Sequence, residues 1–129
     1  MVFKIGLGAV PSDGKQPFSW VHIDDVLSVF QKAILTENMS GIYNLVAPEN
    51  VTMKTFMQIF GRIIGKPVWF HVPEAILKIR YGEGAQSLLK GAFVIPRKLE
   101  GEGYVFKYNN LDSALKVILN NQRNVRARK

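Results

Sequence analysis

The stretch Phe18–Phe30, "FSWVHIDDVLSVF", decides how this chain is read. From Ser19 to Ile23 successive side chains fall to alternate sides of an extended backbone, and Trp20 shares a face with His22. From Val26 onward the spacing changes. Val26, Leu27, Val29, Phe30, Ala33 and Ile34 recur at the period of a helix. Asp24 and Asp25 stand at the change, where a carboxylate can accept the free N–H groups of a first helical turn and suits the positive end of the dipole. The pattern predicts a strand over 19–23. One aspartate then caps the helix while the other bonds the incoming loop. The Trp20–His22 face has two readings: a half-buried surface whose polar atoms find local partners, or the wall of a cleft beneath the loop that carries Lys15 and Gln16.

Outward from this junction, short strands alternate with helices. "TENMSG" ends the first helix with Gly41, and "IYNLVA" (42–47) is a nearly continuous apolar strand. Thr52 caps a second helix whose inner stripe is Phe56, Met57, Ile59, Phe60, Ile63 and Ile64, and Gly65 with Pro67 closes it. "VWFHV" (68–72) is a third strand, and Pro73 takes the first position of the helix "EAILKIRYG". A short helix is predicted over 85–91. A helical turn, a Gly break and a fourth strand follow within "PRKLEGEGYVFKY", and a last helix spans Leu111–Leu119 after Asn109 and Asn110.

The composition bounds the class. The 129 residues are about one domain's worth, and 47% apolar residues with 11% aromatic can fill a core. No run reaches the roughly 20 apolar residues of a membrane helix. The absence of cysteine removes disulfides and thiolate chemistry, which fits a cytoplasmic setting. The net charge is +7, but Arg123, Arg126, Arg128 and Lys129 crowd the end; removing these four from 17 basic residues leaves 13 against 10 acidic ones, or +3. The expected organisation is one domain over 1–120 and a basic tail over 121–129, which could meet an acidic partner or lie solvated.

Several chemistries lack their residues. Gly8, Gly14 and Lys15 suggest a phosphate loop, but five residues separate the glycines where four are needed, and Gln16 replaces the magnesium-holding hydroxyl. Gly6 and Gly8 are followed by Pro11 with no helix start, so the dinucleotide fingerprint is missing. His22, Asp24 and Asp25 are acceptable metal ligands by type, but His71 stands on another strand with no linking spacing. No Gly-x-Ser-x-Gly elbow occurs.

Three blocks, "GLGAVPSDGKQPFSWVHIDDV", "SGIYNLVAPENVTMKTFMQIFGRIIGKP" and "LLKGAFVIPRKLEGEGYVFKYNNLDSAL", resemble in order and spacing the C-terminal half of the extended short-chain dehydrogenase/reductase proteins. The resemblance runs over about residues 5–119 and points to the NAD-dependent epimerase family. Within it, the sugar-nucleotide epimerase-like subgroup carries a C-terminal domain of unknown function. It implies an α/β fold in which an N-terminal Rossmann half binds NAD or NADP and the C-terminal part caps a small-molecule substrate.

The family's catalytic Tyr-x-x-x-Lys pair is not found. Four residues beyond Tyr43, Tyr81, Tyr104 and Tyr108 lie Ala47, Ala85, Tyr108 and Asp112. Many relatives acting on sugar nucleotides carry an arginine before the His-x-Asp-Asp run to hold a phosphate; Phe18 occupies that position here.

The expectation is therefore a substrate-cap part that is inactive alone and supplies no catalytic, cofactor or metal residue. Gln16, Trp20 and His22 would face the cleft, and Asp24 and Asp25 would fix the turn. A basic or self-associating interaction domain is the alternative, either binding nucleic acid through the tail or forming a homo-oligomer through exposed apolar surface.

Overall fold

The structure is a computed structural model that describes residues 8–66, 68–82 and 91–127. In chain order it builds β1 (Gly8–Pro11), β2 (Pro17–Phe18), α1 (Ile23–Leu35), β3 (Val51–Thr52), α2 (Met53–Ile64), β4 (Val68–Val72), α3 (Glu74–Tyr81), a short α4 (Arg97–Gly101) and α5 (Leu111–Ala127). The class is mixed α/β, as the alternation of periods predicts.

Two small sheets form among the described residues. β1 pairs with β4 in parallel, with Val10 opposite His71 and Pro11 opposite Val72. β2 pairs with β3 antiparallel, with Phe18 opposite Val51. A parallel pair needs a crossover element, and α2 serves as one, packing on β1, on β4 and on α5. The apolar stripe of α2 is what makes this possible. Met57 is buried, the Phe56 ring lies tilted against Phe18 with centroids 4.2 Å apart, and Gly61 lets β4 come close. A Cβ at Gly61 would lie 2.6 Å from both the Lys66 carbonyl oxygen and Val68 Cγ2.

The caps of α2 follow the sequence reading. Thr52 Oγ1 accepts from the Thr55 N–H at 3.2 Å, and Gly65 ends the helix in the left-handed region at φ 69°. Two further backbone bonds close its start: Met53 N–H donates to the Gln16 carbonyl and Lys54 N–H to that of Gly14. The second core region joins Val29 of α1, Leu99 of α4 and Phe106, with Met39, Tyr43, Leu45 and Tyr104 around it.

Several expectations are corrected. The strand over 19–23 does not form: β2 stops at Phe18, which lies opposite Val51, the first residue of its two-residue antiparallel partner β3, so the ladder does not continue to Ser19. Beyond it, the Ala47 N–H to Trp20 carbonyl bond continues the contact alone. "IYNLVA" forms no strand with the described residues, Ala47 alone bonding to Trp20, and residues 104–108 are likewise outside any strand. Gly41, at φ 82°, turns the chain six residues after α1 has ended at Leu35 with Thr36 as its C-cap. Pro73 is the N-cap of α3 rather than its first residue.

The last helix runs on to Ala127 instead of ending at Leu119. The helix expected over 85–91 falls almost wholly outside the described residues, as do the basic side chains of positions 123, 126, 128 and 129.

Candidate functional site

The junction that opened the sequence reading is held by residues that lie far away in the chain. His22 is the N-cap of α1: its Nδ1 accepts from the Asp24 N–H at 3.1 Å. The imidazole is 5% exposed and lies against the Tyr108 ring, with centroids 3.8 Å apart. An acceptor at Nδ1 places the ring proton on Nε2. The reason the cap is a histidine and not an aspartate is positional. The helix begins at Ile23, so both carboxylates fall inside the first turn.

Asp25 is 1% exposed and bonds outward. Its Oδ1 accepts from the Lys107 N–H at 2.7 Å and its Oδ2 from the Tyr108 N–H at 3.0 Å, while the Tyr104 hydroxyl lies 3.3 Å from Oδ1. A buried carboxylate is tolerated when donors surround it. Burial and the neighbouring Asp25 charge push the Tyr104 phenol above its usual range. Asp24, partly exposed, pairs with the Lys107 ammonium at 3.0 Å. That bond holds the Asp24 carboxyl below the ordinary carboxylate range and raises the Lys107 amine above its own.

A second tie runs through Glu49. Its carbonyl accepts from Trp20 Nε1 at 3.2 Å, while its carboxylate accepts from the Leu111 N–H at 2.6 Å and from the Asn110 amide. Glu49 thus joins Trp20 to the first turn of α5. Asn110 also caps that helix through the Ser113 N–H. Gln16 is buried after the turn that follows β1, its amide donating to the Pro11 carbonyl at 3.2 Å.

The structure therefore gathers Trp20, His22, Asp24 and Asp25 into one tied junction, and sets Gln16 beside the start of α2 instead. Of the three expected cleft residues, Trp20 is partly exposed, whereas Gln16 and His22 are buried. Neither aspartate caps α1. Glu49, Tyr104, Lys107 and Tyr108 were not singled out from the sequence as members of this site. They act at separations such as 62 and 83 residues, and no local pattern announces such a contact.

The nucleotide readings also meet geometry. A phosphate loop or dinucleotide turn needs free N–H groups at a helix N-terminus close behind a strand. After β1 the chain makes a turn at Ser12–Gly14 and then enters β2, not a helix. The N-terminal amides of Met53, Lys54 and Thr55 on α2 are already bonded to oxygens of this chain. The described residues do not fit a dinucleotide, and among them no cluster of histidines and carboxylates could hold a metal ion. No helix among them is long and apolar enough to cross a membrane.

Comparison with known proteins bears out the resemblance to the epimerase family proteins. Residues 72–118 match a family described as a domain of unknown function, DUF1731. The "Epimerase family protein SDR39U1" of Mus musculus is 34% identical over 118 residues, 91% of this chain and 40% of that protein. The "Epimerase family protein YfhF" of Bacillus subtilis is 31% identical over 95% of this chain and 41% of its own length. Among solved structures, the human epimerase family protein SDR39U1 "with NADPH" superposes with a TM-score of 0.85 and 35% identity, covering 93% of this chain and 41% of that one. The chain spans about two fifths of the length of these relatives. It is homologous to the C-terminal part of the epimerase family proteins of the extended short-chain dehydrogenase/reductase class.

Proposed function

We propose that this chain is the substrate-capping part of an NAD(P)-dependent epimerase- or reductase-type protein, and that the cofactor and the Tyr-x-x-x-Lys chemistry belong to a dinucleotide-binding part outside it. The observation that carries the reading is the superposition of nearly the whole chain on about two fifths of a human relative crystallised with NADPH. The lack of a dinucleotide turn in the described residues supports it from the other side.

In this reading the tied junction is the base of the cleft wall. Trp20 contributes the exposed apolar surface, and the buried Gln16 and His22 hold the backbone on which that surface stands. Phe18 in place of a phosphate-holding arginine favours a substrate without a nucleoside diphosphate. A cytoplasmic setting belongs to the same proposal, although the Arabidopsis thaliana relative is named as chloroplastic.

The test is NADPH binding by calorimetry or fluorescence. The 129-residue chain should show no saturable binding at cofactor concentrations that saturate the intact human relative. Tight, stoichiometric binding to the chain would overturn the assignment.

A further inference from the structure

Trp20 is gripped twice by one short loop. Its carbonyl accepts from the Ala47 N–H at 2.7 Å, and its indole Nε1–H donates to the Glu49 carbonyl at 3.2 Å. The residues before it are held as well: Phe18 pairs with Val51, and the Ser19 hydroxyl donates to the Ala92 carbonyl at 3.2 Å. A tryptophan side chain has two torsions, so a fixed backbone and a fixed Nε1 leave the indole plane one orientation. The N–H is also the sole hydrogen-bonding group of an indole. With that donor bound to Glu49, the partly exposed Trp20 presents its ring, and no polar atom, to a neighbouring molecule.

The grip depends on where residue 49 stands, and the Glu49 side chain sets that. Residues 47–49 lie outside any helix or strand, so this loop takes its position from a neighbour. Glu49 Oε2 accepts from the Leu111 N–H at 2.6 Å, and Oε1 accepts from the Asn110 side-chain amide at 3.3 Å. The Leu111 N–H opens α5 and has no partner within the helix, and the carboxylate there also meets the positive end of the dipole. The helix is itself anchored: Leu111 and Ala114 are each 2% exposed, and α5 packs on α2.

We propose that Glu49 is a positioning residue for the cleft wall. Its carboxylate locks the 47–49 loop to the start of α5, and the loop in turn sets the plane of the Trp20 indole. The chemistry that this wall recognises follows from the same bonds. Trp20 takes the apolar or planar face of a small molecule by ring contact, and does not donate a hydrogen bond to it. In the functional reading above, on which this rests, Trp20 belongs to the substrate wall; Glu49 is the residue that aims it.

Exchange of the indole proton with water, followed by NMR, tests this in the 129-residue chain. The chain has two tryptophans, and Trp69→Phe identifies the Trp20 signal. Glu49→Ala should speed exchange of the Trp20 Nε1–H by about tenfold, the effect of losing about one hydrogen bond's net stabilisation. Glu49→Gln still presents an oxygen to the Leu111 N–H and should stay near the parent rate. Glu49→Asp keeps the charge on a side chain one methylene shorter and should fall between the two; it serves as the test if Glu49→Ala does not fold. A parent-like rate in Glu49→Ala, or in that event in Glu49→Asp, would overturn the proposal.

Asp112→Ala is the control. It removes the ion pairs of Asp112 with Arg62 and Lys116 in the first turn of α5 and leaves Glu49 in place, so Trp20 exchange should keep the parent rate. An equal gain in that variant would overturn the proposal, because any loosening of α5 would then free the indole. Benzyl alcohol, a soluble aromatic probe, should shift the Trp20 ring protons in the parent chain and shift them less in Glu49→Ala; no shift in the parent would overturn the ring-face recognition. Exchange of the indole proton does not involve NADPH. Saturable NADPH binding by the chain would remove the functional reading and leave the Glu49–Trp20 coupling standing, whereas unchanged exchange in Glu49→Ala would do the opposite.

Discussion

Removing the Asp25 carboxylate should be the most damaging single change at the junction. The side chain is 1% exposed and takes hydrogen bonds from two backbone amides, Lys107 at 2.7 Å and Tyr108 at 3.0 Å, with the Tyr104 hydroxyl more distant at 3.3 Å. Hydrogen bonds to an ionised acceptor contribute about 1.5–3 kcal/mol each, and a buried donor left unpaired costs about 1–3 kcal/mol. Relaxation of the 104–108 segment toward water offsets part of this, so Asp25→Ala should cost about 3–5 kcal/mol, against a total of about 5–15 kcal/mol for a domain. With an unfolding entropy of about 2.1 cal/mol/K per residue, that is a fall of about 10–20 °C in melting temperature for this chain.

Asp25→Asn keeps one acceptor but turns an NH2 group toward a backbone donor, and should recover only part of the loss. Tyr104→Phe should cost about 1 kcal/mol, since its contact is long. Urea unfolding followed by circular dichroism measures all three. A loss below about 1 kcal/mol for Asp25→Ala would refute the view that this carboxylate holds the 104–108 segment in place.

Other changes probe separate parts of the structure. His22→Ala removes the α1 cap and the Tyr108 contact and should cost about 1.5–3 kcal/mol in thermal or urea unfolding, while His22→Asn should restore the cap portion of about 1 kcal/mol. Gly61→Ala should destabilise by more than 1 kcal/mol although alanine is the better helix former by about that amount, because the added Cβ would lie 2.6 Å from Lys66 O and Val68 Cγ2; Gly65→Ala, at φ 69° with open space around it, should show only the backbone cost of about 1 kcal/mol.

The Asp24–Lys107 pair gives a pH signature. The folded-state pKa of Asp24 is depressed, so its contribution is present above the unfolded value near 3.9 and is lost as pH falls through the lower folded value. Lys107 is raised, so its contribution is complete below about 10.4 and disappears as pH rises through the higher folded value. Melting temperature against pH should therefore be shallower at both extremes in Asp24→Asn than in the parent chain, and unchanged slopes would show that the pair is not formed in solution.

What the sequence determined by itself is local. The helical period of α1 and α2, the Thr52 cap, the Gly65 stop and the β4 run were legible because each depends on residues within a few positions of one another. The three blocks also showed the resemblance, since a family pattern survives as residue order. Tertiary structure decided the rest. Strand formation requires a partner, so "IYNLVA" has the composition of a strand and no ladder among the described residues, while β2 ends opposite the first residue of β3. The exact start of α1 moved the cap from the aspartates to His22 and released Asp25 to bind a segment more than 80 residues away. Burial of Gln16 and His22 and the bridge made by Glu49 arise from distances in space that no spacing along the chain encodes.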